Sequence, residues 1–339
     1  MNTANKPRVC VIGAGAIGGF FGARLAQGHA DVSVVARGAT LEALQQNGWV
    51  LESGGARTAA PVRAVTDTRD LGPQDIVLIA VKAYALADVA HMVRPLLGPG
   101  SIVVPAVNGV PWWFRTQRSG AGEGSVERPL SSLDPQGIIA AAIPRETIVG
   151  AVVYPACSSP SPGVVRHASG SRVVFGEIDG VAGTPISARA NDLVSVLKSA
   201  GFDAEASADI RSEVWTKLLG NACFNPVSLL TGSATDLLID DTDVYQLFNA
   251  MMNETLAVGH AAGLDVRIRA EDRIGVTRKL GRVKTSMLQD AEAGRPVEID
   301  AILGAVNEMA RILGVRTPAN DAVYALARMR AQTFGLLKK

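Results

Sequence analysis

The sequence lacks an excess of charge of either sign. It carries 33 Lys and Arg against 32 Asp and Glu in 339 residues, which leaves a formal net charge of +1. Proteins that bind nucleic acid or a membrane surface through their overall charge usually show a clear basic excess. We therefore expect neither nucleic acid nor membrane among the partners, and any basic site must be local.

Long hydrophobic runs are also missing. The longest apolar stretches, such as residues 76–81, fall far short of the about 18 residues that a membrane span requires. The first eight residues are polar and lack the apolar run and cleavage site of a signal peptide. We expect a cytoplasmic protein.

Cysteines are few and widely spaced. Cys10, Cys157 and Cys223 are odd in number, lack CxxC spacing and lie in apolar surroundings. This pattern predicts buried, reduced thiols rather than disulfides or a metal site.

Hydrophobic residues are plentiful, at 47%, and the length suits two globular domains. Apolar runs at 8–12, 31–36, 75–81 and 101–105 alternate with helical segments, which is typical of a parallel sheet covered on both faces. Residues 115–137 are predicted to form a long surface loop. Segments 164–167 and 172–175, separated by Ala-Ser-Gly-Ser, are predicted to form a hairpin.

Helical spacing dominates from about residue 208. Apolar residues recur at three- and four-residue intervals in segments 209–221, 243–262, 270–284 and 301–313. The sequence therefore predicts an α/β Rossmann-type N-terminal domain with a mainly parallel sheet, residues 1–207. An all-α domain, residues 208–339, follows it.

A glycine-rich turn, Gly13-Ala14-Gly15-Ala16-Ile17-Gly18, follows the first apolar run and opens a helix. In dinucleotide sites the three glycines allow a tight turn, close approach to a pyrophosphate and helix–strand packing. The alternative is a merely structural turn, but the strand–turn–helix context favours a cofactor site.

Arg37 ends the second predicted strand, 22 residues after Gly15. NAD sites usually carry Asp or Glu near this position, whereas a guanidinium matches the 2′-phosphate of NADP. An ordinary exposed arginine is the alternative. Lys82 and Asn108 also follow apolar strands, and ligands of open parallel sheets bind beyond the ends of such strands. The alternatives are a solvated lysine for Lys82 and an ordinary Asn-Gly turn for Asn108.

Glu213, Lys217, Asn221 and Asn225 fall at four-residue steps and therefore share one helical stripe. The alternative is a solvated face with a Glu–Lys ion pair. Two features weigh against a solvated face. Asparagine is a poor helix former, and Pro226 predicts a break at Asn225. A partly desolvated lysine can donate a proton to a ketone that accepts a hydride, while amides hold the substrate.

These residues together resemble the ketopantoate reductase family over nearly the whole chain. The shared motifs are GAGAIG, the strand-end Arg37, VKAY, NG, WTKLLGNACFNP, and SMLQD with EID twelve residues beyond its serine. The resemblance implies a Rossmann domain followed by a helical domain, and NADPH-dependent reduction of a small 2-oxo acid.

The resemblance also implies roles for individual residues. Lys217 would be the proton donor, and Asn108, Asn221, Asn225 and Ser286 would be substrate ligands. Cofactor contacts would be Gly13, Ala14, Gly15, Ala16, Ile17, Gly18, Arg37, Lys82, Asn108, Ala156 and Glu298. Locally, Glu298 shows nothing beyond a charge near a helix start.

The sequence departs from the family pattern at three places. Val107 stands where the family usually has Gln, Thr235 where it often has a substrate-binding Asn, and Pro111-Trp112-Trp113 follows the Asn-Gly. The tryptophans either pack in a core or a dimer interface, or reshape the substrate pocket.

Three functions therefore stay open. The first is reduction of 2-dehydropantoate (ketopantoate) to pantoate, in pantothenate and coenzyme A biosynthesis. The others are reduction of a different small oxo acid and, less favoured, a non-catalytic NADP(H)-binding sensor. A homodimer is a possible assembly.

Overall fold

The computed structural model describes residues 6–116 and 128–338. They form two compact units, the first from residues 6–107 and 137–210, the second from 108–116, 128–136 and 211–338. The strands are β1 (Arg8–Ile12), β2 (Asp31–Val35), β3 (Trp49–Ser53), β4 (Ala56–Ala60), β5 (Arg63–Val65), β6 (Ile76–Ile79), β7 (Ile102–Pro105), β8 (Arg115–Thr116), β9 (Arg128–Pro129), β10 (Val149–Val153), β11 (Ala156–Ser161), β12 (Val164–Ser169), β13 (Arg172–Glu177) and β14 (Asp203–Ala206).

The helices are α1 (Ala16–Ala26), α2 (Gly38–Asn47), α3 (Leu86–Val89), α4 (Ile138–Ala142), α5 (Ala188–Ser199), α6 (Ile210–Thr231), α7 (Thr235–Asp240), α8 (Thr242–Ala261), α9 (Ala270–Arg278), α10 (Ser286–Glu292), α11 (Ala305–Leu313) and α12 (Pro318–Thr333). A π-helical turn, Asp300–Gly304, precedes α11. The second unit contains β8 and β9 and is otherwise helical from α6 to α12, as predicted.

The main sheet of the first unit has the strand order β5-β2-β1-β6-β7, and every pair in it is parallel. Its central strands are almost wholly apolar and buried, which confirms the predicted doubly covered sheet. The strand order reverses between β1 and β6. Ligands of such sheets bind outside the carboxyl ends of the strands at this reversal.

Strands β12 and β13 do not form the predicted hairpin. Strand β12 pairs with β11 and β3, whereas β13 pairs with β10 and β14 in a different sheet. That prediction was wrong because their apolar residues serve two separate layers: Val165 packs against α1, and Val173 and Phe175 are buried in the three-stranded sheet. The hairpin that does form, β11–β12, begins with a Ser- and Pro-rich strand that carries no β signal.

Helix α1 packs closely against the four-stranded sheet β11-β12-β3-β4. A Cβ atom at Gly22 would overlap the ring of Trp49, and one at Gly19 would overlap the side chain of Val165. On another face, the ring of Phe21 stacks on Phe202 with centroids 4.6 Å apart. Small residues therefore fix the helix against one layer while aromatic rings fix it against another.

Helix α6 runs without interruption through Pro226. The predicted break at Asn225 was wrong. Proline removes its own N–H bond to the carbonyl four residues earlier, and its ring crowds that carbonyl. Burial of the helix on most sides, including Trp215 and Leu219, compensates for this local loss.

Residues 108–116 belong to the helical unit, which differs from the predicted division at residues 207 and 208. The backbone N–H of Val110 donates to the Ala301 carbonyl at 2.8 Å, and the ring of Phe114 stacks on Trp215 at 5.9 Å. Trp112 and Trp113 are both buried. Of the predicted surface loop, residues 117–127 lie outside the described residues.

The cysteines are free, and Cys10 and Cys223 are buried as predicted, whereas Cys157 is only partly buried. Burial raises the pKa of the Cys10 thiol to about 12. In the part of the chain that the structure describes, every helix is too short or too polar to span a bilayer.

Candidate active site

The turn after β1 uses its glycines in different ways. Gly13 has φ +110°, and a Cβ atom there would lie 2.8 Å from the Ala80 carbonyl carbon. A Cβ at Gly18 would overlap the carbonyl oxygen of Gly13, whereas a Cβ at Gly15 would meet nothing within 4 Å. Gly13 and Gly18 are thus required by contacts within the protein, while Gly15 faces open space at the start of α1.

That open space is a cavity of about 440 Å³ at the carboxyl ends of β1, β2 and β6. Its wall brings together Gly13, Ala14 and Gly15 with Arg37, which lies at the N-terminal end of α2. Ala16, Ile17 and Gly18 form the first turn of α1 behind them. The first unit therefore combines the predicted glycine turn and the predicted arginine around one cavity.

The remainder of this wall was not predicted from the sequence. Ala85, Val89 and Met92 give it an apolar side, and Thr40, Asp88 and Ser159 add polar groups. The helical spacing of Ala85, Val89 and Met92 was the available signal, but it does not distinguish a cavity wall from a core.

Lys82 and Ala156 lie outside the described lining of this cavity. Lys82 is partly buried and begins a short 3-10 turn after β6, and Ala156 is the exposed first residue of β11. Their predicted contacts with a cofactor stay predictions.

In the helical unit, Lys217 and Asn108 meet although they are 109 residues apart in sequence. The Lys217 Nζ donates a hydrogen bond of 2.9 Å to Asn108 Oδ1. Lys217 lies on α6, and Asn108 lies on the segment that Val110 attaches to Ala301. A predicted catalytic residue and a predicted ligand are thus brought together.

The electrostatics of Lys217 depend mainly on burial, which lowers the pKa of its ammonium group from 10.5 to about 8. Two neighbouring charges modify this effect. The buried Glu298 carboxylate opposes the lowering, and Arg273 on α9 adds to it. A lysine with a pKa near 8 is protonated at neutral pH and is a stronger acid than a solvated one.

Arg273 approaches α6 at Gly220, one turn from Lys217. A Cβ atom at Gly220 would overlap the guanidinium group, and Arg273 Nη1 also donates to Thr277 Oγ1 at 2.8 Å. Gly220 therefore admits a second cation beside the lysine. Arg273 was not predicted from the sequence, because nothing around residue 273 marks it.

The two asparagines of the stripe differ in burial. Asn221 is partly buried, whereas Asn225 is 4% exposed and its buried Nδ2 has no hydrogen-bond partner among the described residues. A buried donor without an acceptor destabilises the folded protein. Such a donor is consistent with a site in which a ligand supplies the acceptor.

Ser286 is the exposed first residue of α10. The residue before it, Thr285, connects this segment to α6, because its Oγ1 lies 2.5 Å from Ser228 Oγ.

Thr235 stabilises the loop that precedes α10. It accepts the N–H of Val283 at 3.2 Å, and its hydroxyl lies 3.0 Å from the Gly281 carbonyl. At this departure from the family pattern, the side chain therefore holds a loop.

A Rossmann-type unit with a glycine turn that lines a cavity, and a helical unit with a lysine whose pKa is lowered by burial, define an oxidoreductase of the two-unit dehydrogenase class. The chain belongs to the ketopantoate reductase family. The family model "Ketopantoate reductase PanE/ApbA" matches residues 9–112, and "Ketopantoate reductase PanE/ApbA C terminal" matches residues 209–331.

Similar proteins span nearly the whole chain. A 2-dehydropantoate 2-reductase of Mesorhizobium japonicum is 43% identical, covering 96% of this chain and 98% of its own. A structure assigned as a ketopantoate reductase, from Ralstonia solanacearum MolK2, is 46% identical with a TM-score of 0.90, covering 98% and 100%. D-mandelate dehydrogenase, solved with NADH and anilino(oxo)acetate, shares the fold at a TM-score of 0.80 and 20% identity, covering 98% and 100%.

Proposed function

We propose that this protein is an NADPH-dependent 2-dehydropantoate 2-reductase that forms pantoate for pantothenate and coenzyme A biosynthesis, with Lys217 as the proton donor. The observation that carries the proposal is the Lys217 ammonium, bonded to Asn108 and with its pKa lowered to about 8 by burial. The Mesorhizobium relative, named for this reaction, supports the choice of substrate.

The described residues fit NADP(H). The open face of Gly15 and the first turn of α1 offer space and backbone N–H groups for a pyrophosphate, and Arg37 offers a charge for the 2′-phosphate. Lys82, Asn108, Ala156 and Glu298 complete the proposed contacts. When bound, NADPH supplies the hydride for the carbonyl carbon.

The proton comes from this chain. Lys217 Nζ donates it to the carbonyl oxygen of the substrate, and Asn108 Oδ1 holds the ammonium in place beforehand. Asn221, Asn225 and Ser286 offer amide and hydroxyl groups to the carboxylate and hydroxyl of ketopantoate. The unpaired Nδ2 of Asn225 supports this role because an acceptor from the substrate would satisfy it.

The proposal includes a cytoplasmic location and a homodimer as the assembly. Size-exclusion chromatography with light scattering at several concentrations tests the assembly. A mass of one chain throughout would exclude the homodimer.

The substrate is tested by NADPH oxidation with purified protein and a panel of 2-oxo acids. We expect ketopantoate to react far faster than pyruvate, because a site that bonds a hydroxyl rejects analogues without it. Turnover of another oxo acid alone would replace the substrate assignment. NADPH binding without turnover of any panel member would support the sensor instead.

A further inference from the structure

Strand β11 carries a β-bulge at Ser159. Ser158 pairs with Arg166, and Ser161 pairs with Val164, so Ser159 and Pro160 together oppose the single residue Val165. A bulge bends its strand and turns a side chain away from the regular alternation. Ser159 is the bulge residue that lines the cavity.

The tip of the β11–β12 hairpin lies beside α2. The N–H of Val50, which follows that helix, donates to the Gly163 carbonyl at 2.9 Å, and a Cβ atom at Gly163 would lie 3.2 Å from the Cβ of Ala43. Ala43 is one helical turn after Thr40. The hairpin thus runs along α2 and brings Ser159 to the cavity wall that Arg37 and Thr40 also form.

The chemistry of this wall is that of a phosphate site. Arg37 supplies a fixed positive charge, and the hydroxyls of Thr40 and Ser159 can each donate one hydrogen bond. The described lining of the cavity contains one carboxylate, that of Asp88 on α3. It lies beside the apolar residues Val89 and Met92. An apolar face of this kind suits a purine ring.

Ser159 Oγ has only a weak contact of its own. It lies 3.2 Å from the Val164 carbonyl oxygen and 3.4 Å from that of Ser161. Rotation about its Cα–Cβ bond exchanges these long contacts for a charged acceptor, and hydrogen bonds to charged groups are the stronger kind. The side chain is exposed, so the rotation displaces nothing from a core.

We propose that Ser159 determines cofactor specificity, because its hydroxyl, together with Arg37 and Thr40, hydrogen-bonds the phosphate on the 2′-oxygen of the adenosine ribose. This inference rests on the proposed function, since it presumes that the cofactor is NADP(H).

The test is a fluorescence titration of NADPH and NADH against matched variants of the whole protein. Ser159→Ala should weaken NADPH binding roughly tenfold, the lower range for loss of a hydrogen bond to a charged group, and leave NADH binding unchanged. Ser159→Asp should weaken NADPH binding more strongly through charge repulsion, and Ser159→Thr, which keeps the hydroxyl, should retain it. Ser158→Ala is the control, because Ser158 is equally exposed on β11 but does not line the cavity.

The results separate failure of this inference from failure of the proposed function. Unchanged NADPH binding in Ser159→Ala, or equal losses for NADPH and NADH, would overturn the role of Ser159. If Arg37→Ala loses the NADPH preference while Ser159→Ala keeps it, only this inference fails. If the wild-type protein binds NADH as tightly as NADPH, the cofactor assignment in the proposed function fails as well.

Discussion

The candidate sites of the two units are built from different parts of the chain. In the first unit, backbone atoms of a glycine turn form one side of the cavity. Contacts inside the protein require glycine at positions 13 and 18, and Gly15 leaves open space. In the helical unit the site consists of side chains, and the central one, Lys217, depends on burial for its acidity. The first arrangement leaves space beside a backbone turn, whereas the second lowers the pKa of a side chain.

The largest expected effect concerns the helical unit alone. Lys217→Ala should lower kcat by about 100-fold or more, the usual scale for loss of a general acid, because the carbonyl oxygen then has no positioned donor. NADPH binding, measured by fluorescence titration, should persist. A folded variant with near-normal turnover would exclude Lys217 from the proton transfer.

The complementary change belongs to the first unit. Arg37→Ala should weaken NADPH use roughly 10- to 150-fold and spare NADH, since one charged hydrogen-bonding group is lost. Steady-state kinetics with both cofactors provide the measurement. The pH profile should not move, and a variant that still prefers NADPH would contradict the assignment.

A third prediction follows from the lowered pKa of Lys217, about 8 against the ordinary 10.5. Reduction requires the ammonium form, so kcat/KM for ketopantoate should be level below pH 8 and fall about tenfold per pH unit above it. Oxidation of pantoate requires the neutral amine and should rise through the same range. A reductive limb that falls only near pH 10 would show that burial does not acidify this lysine.

The charge beside Lys217 has a smaller expected effect. Arg273→Gln removes a positive charge that lowers the pKa of Lys217, so the fall in kcat/KM should move to higher pH. Thr277→Val is the control because it removes the hydroxyl bonded to Arg273 without changing charge. Equal pH profiles for wild type and Arg273→Gln would assign Arg273 a packing role only.

The same comparison explains what could be predicted from the sequence. The glycine turn and the parallel strands were predictable because each is a local pattern with a local cause: φ +110° at Gly13, and apolar runs buried on both faces. The stripe of Lys217, Asn221 and Asn225 was visible too, since helical spacing places residues on one face. Its environment was not, because burial and the bond to Asn108 arise from residues distant in sequence.

The wrong and missed features have the same origin. Pro226 predicted a break, but local propensity yields to the packing of a helix buried on most sides. The exposed β11 was not predicted, because its strand state comes from pairing with β12 and not from its serines. Ser159 was therefore missed together with its strand.

The path of residues 108–116 makes the helical unit a discontinuous domain, with consequences for its synthesis and for fragments of it. Trp112, Trp113 and Phe114 are synthesised about a hundred residues before Trp215, so these rings remain without it while residues 137–210 of the first unit are still being synthesised. A fragment that begins at residue 208 would lack both Phe114 opposite Trp215 and the Asn108 acceptor of Lys217. The helical unit is therefore not separable at the chain position where its helices begin, and a self-contained version would require residues 108–116 to be joined to it through a new connection.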